Sequence, residues 1–322
     1  MRAIWEFETD PAFSDEERAA LRFAWAAAAV PCEVTDEHFA GLEEHFTDDQ
    51  IVHILAEVCN TAWSNGWNDT MSTPLEAHPL RTMAEVSPGW DPGRNRPDEH
   101  SPAVREPTAV PPAEPPSREW VARAAAFRPD STHRGPAPVR REDVPEHGPV
   151  LRRFEESLGF VPVDVLVLAR RPPLLAARAA MFEALLDSDV EHELGMLVQL
   201  MVGIVADARR AVGQRVAALV HTGVAVDRVR AVWHFEDSTL FSERERVALR
   251  FAHAAGRRPN AVDDDHYVEL RMCFSEGEII DLAANVCEAL WSNRWNESVA
   301  LPVAEDAAEA APVNPAERSR AR

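Results

Sequence analysis

The chain has 322 residues, enough for two domains, and its 46% hydrophobic and 7% aromatic content suits a soluble, Ala- and Leu-rich helical protein. A formal net charge of −21 argues against nucleic acid or an anionic membrane as partner, since both need a basic face. Lysine is absent and all 33 basic residues are Arg, which excludes Schiff-base chemistry, pyridoxal-phosphate attachment and the lysine of phosphate-binding loops.

In chain order, a short helix is expected to end at Trp5-Glu6-Phe7-Glu8, and Ser14-x-x-Glu17 opens a second as a capping box. A loop with a brief helix around Asp36 and His38 follows. Thr47-x-x-Gln50 is another capping box, and Phe46 and Ile51 flank it as a hydrophobic staple. The helix it opens carries Ile51, Ile54, Leu55, Val58, Cys59 and Ala62 at helical spacing, so that face enters a core, and it ends in Trp63-Ser64-Asn65-Gly66-Trp67-Asn68. Residues 77–137 turn rich in Pro, Glu, Arg and Ser, with a run from Pro111 to Pro116, and read as a largely disordered linker. Ser117 to Phe127 is an exception. Trp120, Val121, Ala124 and Ala125 would make a short helix there, of the kind that docks on a neighbouring domain.

Helical order resumes near Pro145. An amphipathic segment over 148–158 stops at Gly159, a short apolar helix ends near Arg170-Arg171, and Pro172 starts a helix through Met181 and Leu186. Ser188-x-x-Glu191 reads as the cap of a strongly apolar helix through Met201, and after Asp207, read as an N-cap, another helix runs to a Gly223 stop. Adding 228 then maps Trp5 onto Trp233, Ser14 onto Ser242, His38 onto His266, Cys59 onto Cys287 and Asn68 onto Asn296 without an insertion. Residues 3–74 and 231–302 are read as two copies of one unit. The organisation expected is a partial repeat over 1–76, the linker, a domain over 138–304 and a disordered tail over 305–322. No strand pattern occurs, so the fold class is all-α.

Cys32, Cys59, Cys273 and Cys287 form no C-x-x-C pair, and Cys59 and Cys287 sit on apolar stripes as small buried hydrophobes. His38 and His266 stand beside Asp36 and Asp264. One His and one carboxylate per unit fall short of a metal site, and loop or capping hydrogen bonds are the reading; no metal or cofactor is expected. With no N-terminal signal pattern and no apolar run of membrane-spanning length, a cytoplasmic location is expected.

Gly159-Phe160-Val161-Pro162, Arg171-Pro172-Pro173-Leu174-Leu175, His221-Thr222-Gly223-Val224, Phe241-Ser242-Glu243-Arg244-Glu245 and Asn293-Arg294-Trp295-Asn296 occur in that order. They resemble the carboxymuconolactone decarboxylase family, which includes the AhpD-type alkylhydroperoxidases. The resemblance covers about residues 138–304 and implies a multihelical all-α fold, homotrimers or hexamers, and a peroxidase-type oxidoreductase ancestry. It implies a Cys-x-x-Cys-x-x-x-His motif at the positions held here by Ala208, Ala211 and Arg215. Thiol peroxidase chemistry needs an activated thiolate and a resolving thiol, so that activity is expected to be lost.

What the same helix offers is Asp207, Arg210, Gln214 and Arg215, with His221 at its end. The arginines are either a solvated face and subunit salt bridges, or they line the old pocket and bind a small carboxylate or hydroperoxide through their guanidinium forks. His221 suits a helix C-terminus without any catalytic role. Asn293, Arg294 and Asn296 are assigned to helix termination and contacts within or between subunits, and Gly66 replaces that Arg in the first copy. The functional expectations are an enzyme of the family, a non-catalytic binding or assembly protein, or an acid/base catalyst of decarboxylase or isomerase type.

Overall fold

The computed structural model describes residues 2–87, 89, 91, 95 and 134–299. Most of the Pro-rich segment, the island at 117–127 and the tail at 305–322 lie outside the described residues. Within them the regular structure is helical throughout, in thirteen α-helices and short 3₁₀ turns.

After a 3₁₀ turn at Arg2–Glu6 come α1 (Asp15–Ala28), α2 (Asp36–Glu43), α3 (Asp48–Met71) and α4 (Ala77–Val86). The chain continues through α5 (Gly148–Leu158), α6 (Val163–Leu168), α7 (Pro172–Leu186), α8 (His192–Val205), α9 (Arg209–His221) and α10 (Val226–Ala231). It closes with α11 (Glu243–Gly256), α12 (Asp264–Cys273) and α13 (Glu276–Ser298). The starts of α11, α12 and α13 each lie 228 residues after those of α1, α2 and α3.

Local chemistry sets many of these ends. Ser14/Glu17, Thr47/Gln50, Ser242/Glu245 and Ser275/Glu278 form reciprocal capping boxes that satisfy the first free N–H groups of α1, α3, α11 and α13. His38 and His266 take the same part in α2 and α12, bonding to Thr35 and Asp263. Gly159 and Gly223 adopt left-handed φ values of 85° and 91° just past α5 and α9, a conformation that costs glycine little.

Two expected caps are not formed. Ser188 donates its hydroxyl to the Val190 carbonyl in a turn, and α8 starts only at His192 with no side-chain cap. The Asp189 N–H is taken instead by Asp281 of α13, and this tertiary bond of 2.9 Å competes with the local box. Asp207 sits at φ 52° in the tight α8–α9 turn and pairs with Arg209, leaving Ala208 as the residue that precedes α9.

The core is one contiguous cluster. At its centre α8 is apolar almost all round, and α11 and α13 pack on it. Helix α9 closes over α8 and α13, and α3 lies along the opposite side of α13. The N-terminal helices are therefore docked on the same chain. Trp291 Nε1 donates to Asn60, Asn260 to Thr70 Oγ1, the Tyr267 hydroxyl to the Thr70 carbonyl, and Arg294 to the Ala27 and Ala29 carbonyls at the end of α1. No described helix is long and apolar enough to cross a membrane.

Candidate functional site

Along α13, Asn285, Glu288, Ser292 and Asn296 recur every three or four residues, which places them on one stripe of the helix. All four are buried. The stripe faces a small cavity of about 40 Å³ completed by Asp164 of α6, Arg178 of α7, His192 and Gln199 of α8, and Gln214 and Arg215 of α9. It holds more buried charge than any other part of the described core.

The charges are arranged as two guanidiniums against two carboxylates. Arg178 Nη2 lies 2.7 Å from Glu288 Oε1, Arg178 Nε lies 3.8 Å from Asp164, and Arg215 Nη2 lies 3.7 Å from the same Glu288 oxygen. Arg215 also donates to Ser292 Oγ at 2.8 Å, and the Arg178 guanidinium stacks 4.9 Å from the Trp291 ring. Amide side chains finish the lining: Gln199 donates to Asn285 at 2.7 Å and Asn296 to Gln214 at 3.0 Å.

Burial shifts the titration of this group. It raises the Asp164 carboxyl above its ordinary value, with Arg178 and Arg215 opposing the rise. It lowers Arg215, and it lowers His192, on which the Arg215 charge acts in the same direction. The interior therefore favours the less charged forms. Several polar atoms remain without a hydrogen-bond partner, namely Asp164 Oδ1, Arg178 Nε and Nη1, His192 Nε2 and Asn296 Oδ1. Unpaired buried donors and acceptors at one place are unusual in a core and point to a binding role.

Arg178 and Glu288 have a second exposure. They form the floor of an open cleft of about 300 Å³ between α3, α7 and α13, walled by Trp63, Leu174, Met181 and Trp291. Trp63 stacks on Trp67 at 5.4 Å and Trp291 on Trp295 at 5.2 Å, so two parallel indole pairs stiffen the α3–α13 contact beside the cleft. The Arg178–Glu288 pair separates a small polar chamber from a larger apolar one.

No family model matches the chain. Its backbone is similar to that of the debrominase Bmp8, at TM-score 0.52 and 27% identity over 54% of this chain and 94% of that one. A Cys-to-Ala variant of the same enzyme, in complex with 2,3,4-tribromopyrrole, aligns at TM-score 0.52 and 26% identity over 57% of this chain and 97% of that one. The uncharacterized protein YnjA of Escherichia coli (strain K12) is 34% identical over 76 residues, 24% of this chain, which spans about two-fifths (42%) of that curated relative. Among the described residues the fold is the all-α, AhpD-like one that the sequence resemblance implies.

Against that background two of the four thiols of this AhpD-like chain are fully buried and two are half-buried. All four cysteines are free, Cys59 and Cys287 are fully buried, and burial pushes the Cys287 thiol up to about 12. Cys59 and Cys32 are raised by the same cause. At the start of α9, Ala208 and Ala211 are buried at 2% exposure, and Arg215 reaches into the polar cavity.

Of the residues singled out from sequence, Gln214, Arg215 and Asn296 meet in the cavity. Asp207, Arg210 and His221 do not. Arg210 pairs with Glu297 of α13 through its backbone N–H at 2.7 Å and its guanidinium at 3.1 Å. His221 is exposed at the end of α9 against Gly159. Arg294 holds the end of α1, and Asn293 lies near Gly203 of α8. Sequence reasoning missed Asp164, Arg178, His192, Gln199, Asn285 and Glu288. A signal for two of them existed: Arg178 interrupts an apolar run from Leu174 to Leu186, and Glu288 falls between Cys287 and Ala289 on a core stripe.

Proposed function

We propose that this chain is a thiol-independent member of the carboxymuconolactone decarboxylase/AhpD superfamily that binds a small carboxylic acid, with the acid group at Arg178 and Arg215 and an apolar body in the cleft beside Trp63 and Trp291. The observation that carries the reading is Arg178, a buried guanidinium at the junction of cavity and cleft, two of whose nitrogens make no hydrogen bond. A carboxylate oxygen supplies an acceptor that either nitrogen lacks, through a charge-assisted hydrogen bond.

The cleft volume of about 300 Å³ falls at the lower end of small-molecule sites and suits a single ring or short chain. The small-ring ligand in the Bmp8 complex is of that size class. A second reading, an acid/base catalyst, is favoured by Asp164 and His192, whose unpaired atoms and opposite shifts would allow one to hold a proton and the other to accept one. Homo-oligomer formation belongs to the same proposal, with the exposed Val268, Met272 and Ile280 as a contact surface; sedimentation equilibrium would detect it.

The test is calorimetric titration with benzoate and acetate, alongside a hydroperoxide-consumption assay with a dithiol donor. Benzoate is expected to bind with a micromolar to millimolar Kd, at least tenfold weaker in Arg178→Met, with no peroxide turnover. Peroxide consumption that disappears on replacing a cysteine, or benzoate binding indifferent to Arg178→Met, refutes the reading.

A further inference from the structure

A groove of about 910 Å³ runs between α1 and α3, lined by Ala20, Leu21, Ala24, Ala28, Ile54 and Val58, with Arg258 and Arg294 at the Val30 end. The positions 228 residues on are Ala248, Leu249, Ala252, Gly256, Leu282 and Val286, all of them buried. What buries them is α8. Gly195 backs onto the Asn285 side chain, and Val202 and Val205 back onto Gly256. The groove is thus the same kind of helix seat, and none of the described helices fills it: Val30 is 41% exposed, and Ala20, Leu21, Ala24, Ile54 and Val58 are each partly exposed.

We propose that residues 117–127 of this chain dock as a helix in the groove between α1 and α3. These residues lie outside the described ones, and three observations select them. The segment carries Trp120, Val121, Ala124 and Ala125 on one helical face, and eleven residues make a helix of about 16 Å, enough to cover the roughly 12 Å from Ala20 to Ala28.

The second observation is reach. The described chain resumes at Arg134, whose N–H donates to the Val299 carbonyl and whose guanidinium donates to the Val34 carbonyl at 2.9 Å, four residues beyond Val30. Seven residue steps separate Phe127 from Arg134 and extend to about 25 Å.

The third is direction. Helix α8 runs from Asn285 toward Gly256, which correspond to Glu57 and Ala28, so a helix seated the same way ends at the Val30 end. That is the end from which Arg134 is reachable. It also puts the negative end of the helix dipole beside Arg258 and Arg294, while Arg118 of the segment lies toward Glu57.

The experiment uses the full chain in two forms. In the first, Cys32 and Cys273 are replaced by Ser, and Ala24→Cys is paired with Ala124→Cys or, as control, with Ala113→Cys in the Pro-rich run. The first pair is expected to oxidise to an intramolecular disulfide at least about tenfold faster than the control, because docking raises its effective concentration. In the second, residues 117–127 become Gly-Ser of equal length, and amide exchange in 20–28 and 54–65 is expected to accelerate at least about tenfold. Unchanged exchange overturns the proposal whatever the cross-linking rate, as does equal cross-linking of the two pairs. Protection that rises with protein concentration and survives the Gly-Ser replacement assigns the groove to a second copy and also overturns it.

Discussion

Removing the Arg178 guanidinium leaves Glu288, at 4% exposure, without its 2.7 Å partner. Arg215, 3.7 Å from the same oxygen, compensates that buried charge only in part, so Arg178→Met is expected to lower stability by about 3 kcal/mol, the low end for breaking a buried pair. The double variant Arg178→Met, Glu288→Leu should recover most of that loss, because both charges are then gone and the volume is kept. Urea denaturation of the two variants measures the difference. Equal losses would mean that the pair is not charge-coupled.

Asp164 gives a pH-dependent counterpart. Its folded value is raised above 3.8, so the native state holds the proton more tightly than the unfolded chain. The contribution of this group to native stability is therefore greatest below the ordinary value and declines as pH rises from there through the raised one. Asp164→Asn removes that decline. The variant is expected to gain on the wild type between pH 4 and the folded value and to hold a constant difference above it, read from urea midpoints; a pH-independent difference would contradict the shift. Cys287 offers a simpler check. With its thiol pushed up to about 12 and no exposed surface, it should resist bulky thiol reagents in the native protein, and Cys287→Ala should cost roughly 1 kcal/mol.

At the scale of helices, the crossing of α3 and α13 depends on Gly66. A β-carbon there would lie 2.3 Å from Leu290 Cδ1, and Leu290 is itself buried at 5% exposure. Alanine would favour the helix by about 1 kcal/mol, but overpacking a filled contact costs about 1–3 kcal/mol, so Gly66→Ala should be net destabilising. Adding Leu290→Ala makes room, and its cost should then be smaller in the Gly66→Ala background than in the wild type. A thermal-melt double-mutant cycle gives the coupling; simple additivity would show that the helices can separate without loss.

For the whole molecule, the bonds from Asn60, Thr70 and the end of α1 to α11–α13 make the N-terminal helices dependent on the rest of the chain. Ile51, Leu55 and Cys59 are at 0–1% exposure only because α13 and its neighbours cover them, and each large apolar side chain left in water is unfavourable by about 1.5–3 kcal/mol. Residues 2–87 expressed alone should be weakly helical by circular dichroism and should regain helicity when residues 134–299 are added. A stable, cooperatively unfolding isolated fragment would show that the N-terminal helices form a unit of their own.

Much of the helical frame was legible without tertiary information because its determinants are local. The capping boxes at Ser14, Thr47, Ser242 and Ser275 and the left-handed glycines at 159 and 223 act within a few residues, and apolar stripes with period 3.6 mark which face is buried. The missing thiol pair was equally plain, since a residue that is absent from the chain cannot be supplied by folding. Ser188 and Asp207 show where local rules lose: a tertiary bond from Asp281 and a tight left-handed turn each took over a position whose side chain matched a cap. The polar cavity was legible only in part: Gln214 and Arg215 stood out on their helix, but their partners did not. Asp164, Arg178, Arg215 and Glu288 come from four helices, and nothing local to any of them says that the four meet. Only packing brings two guanidiniums and two carboxylates together out of water, and it is the lost hydration, together with the distances between them, that shifts Asp164 and His192 and leaves Arg178 with nitrogens unpaired.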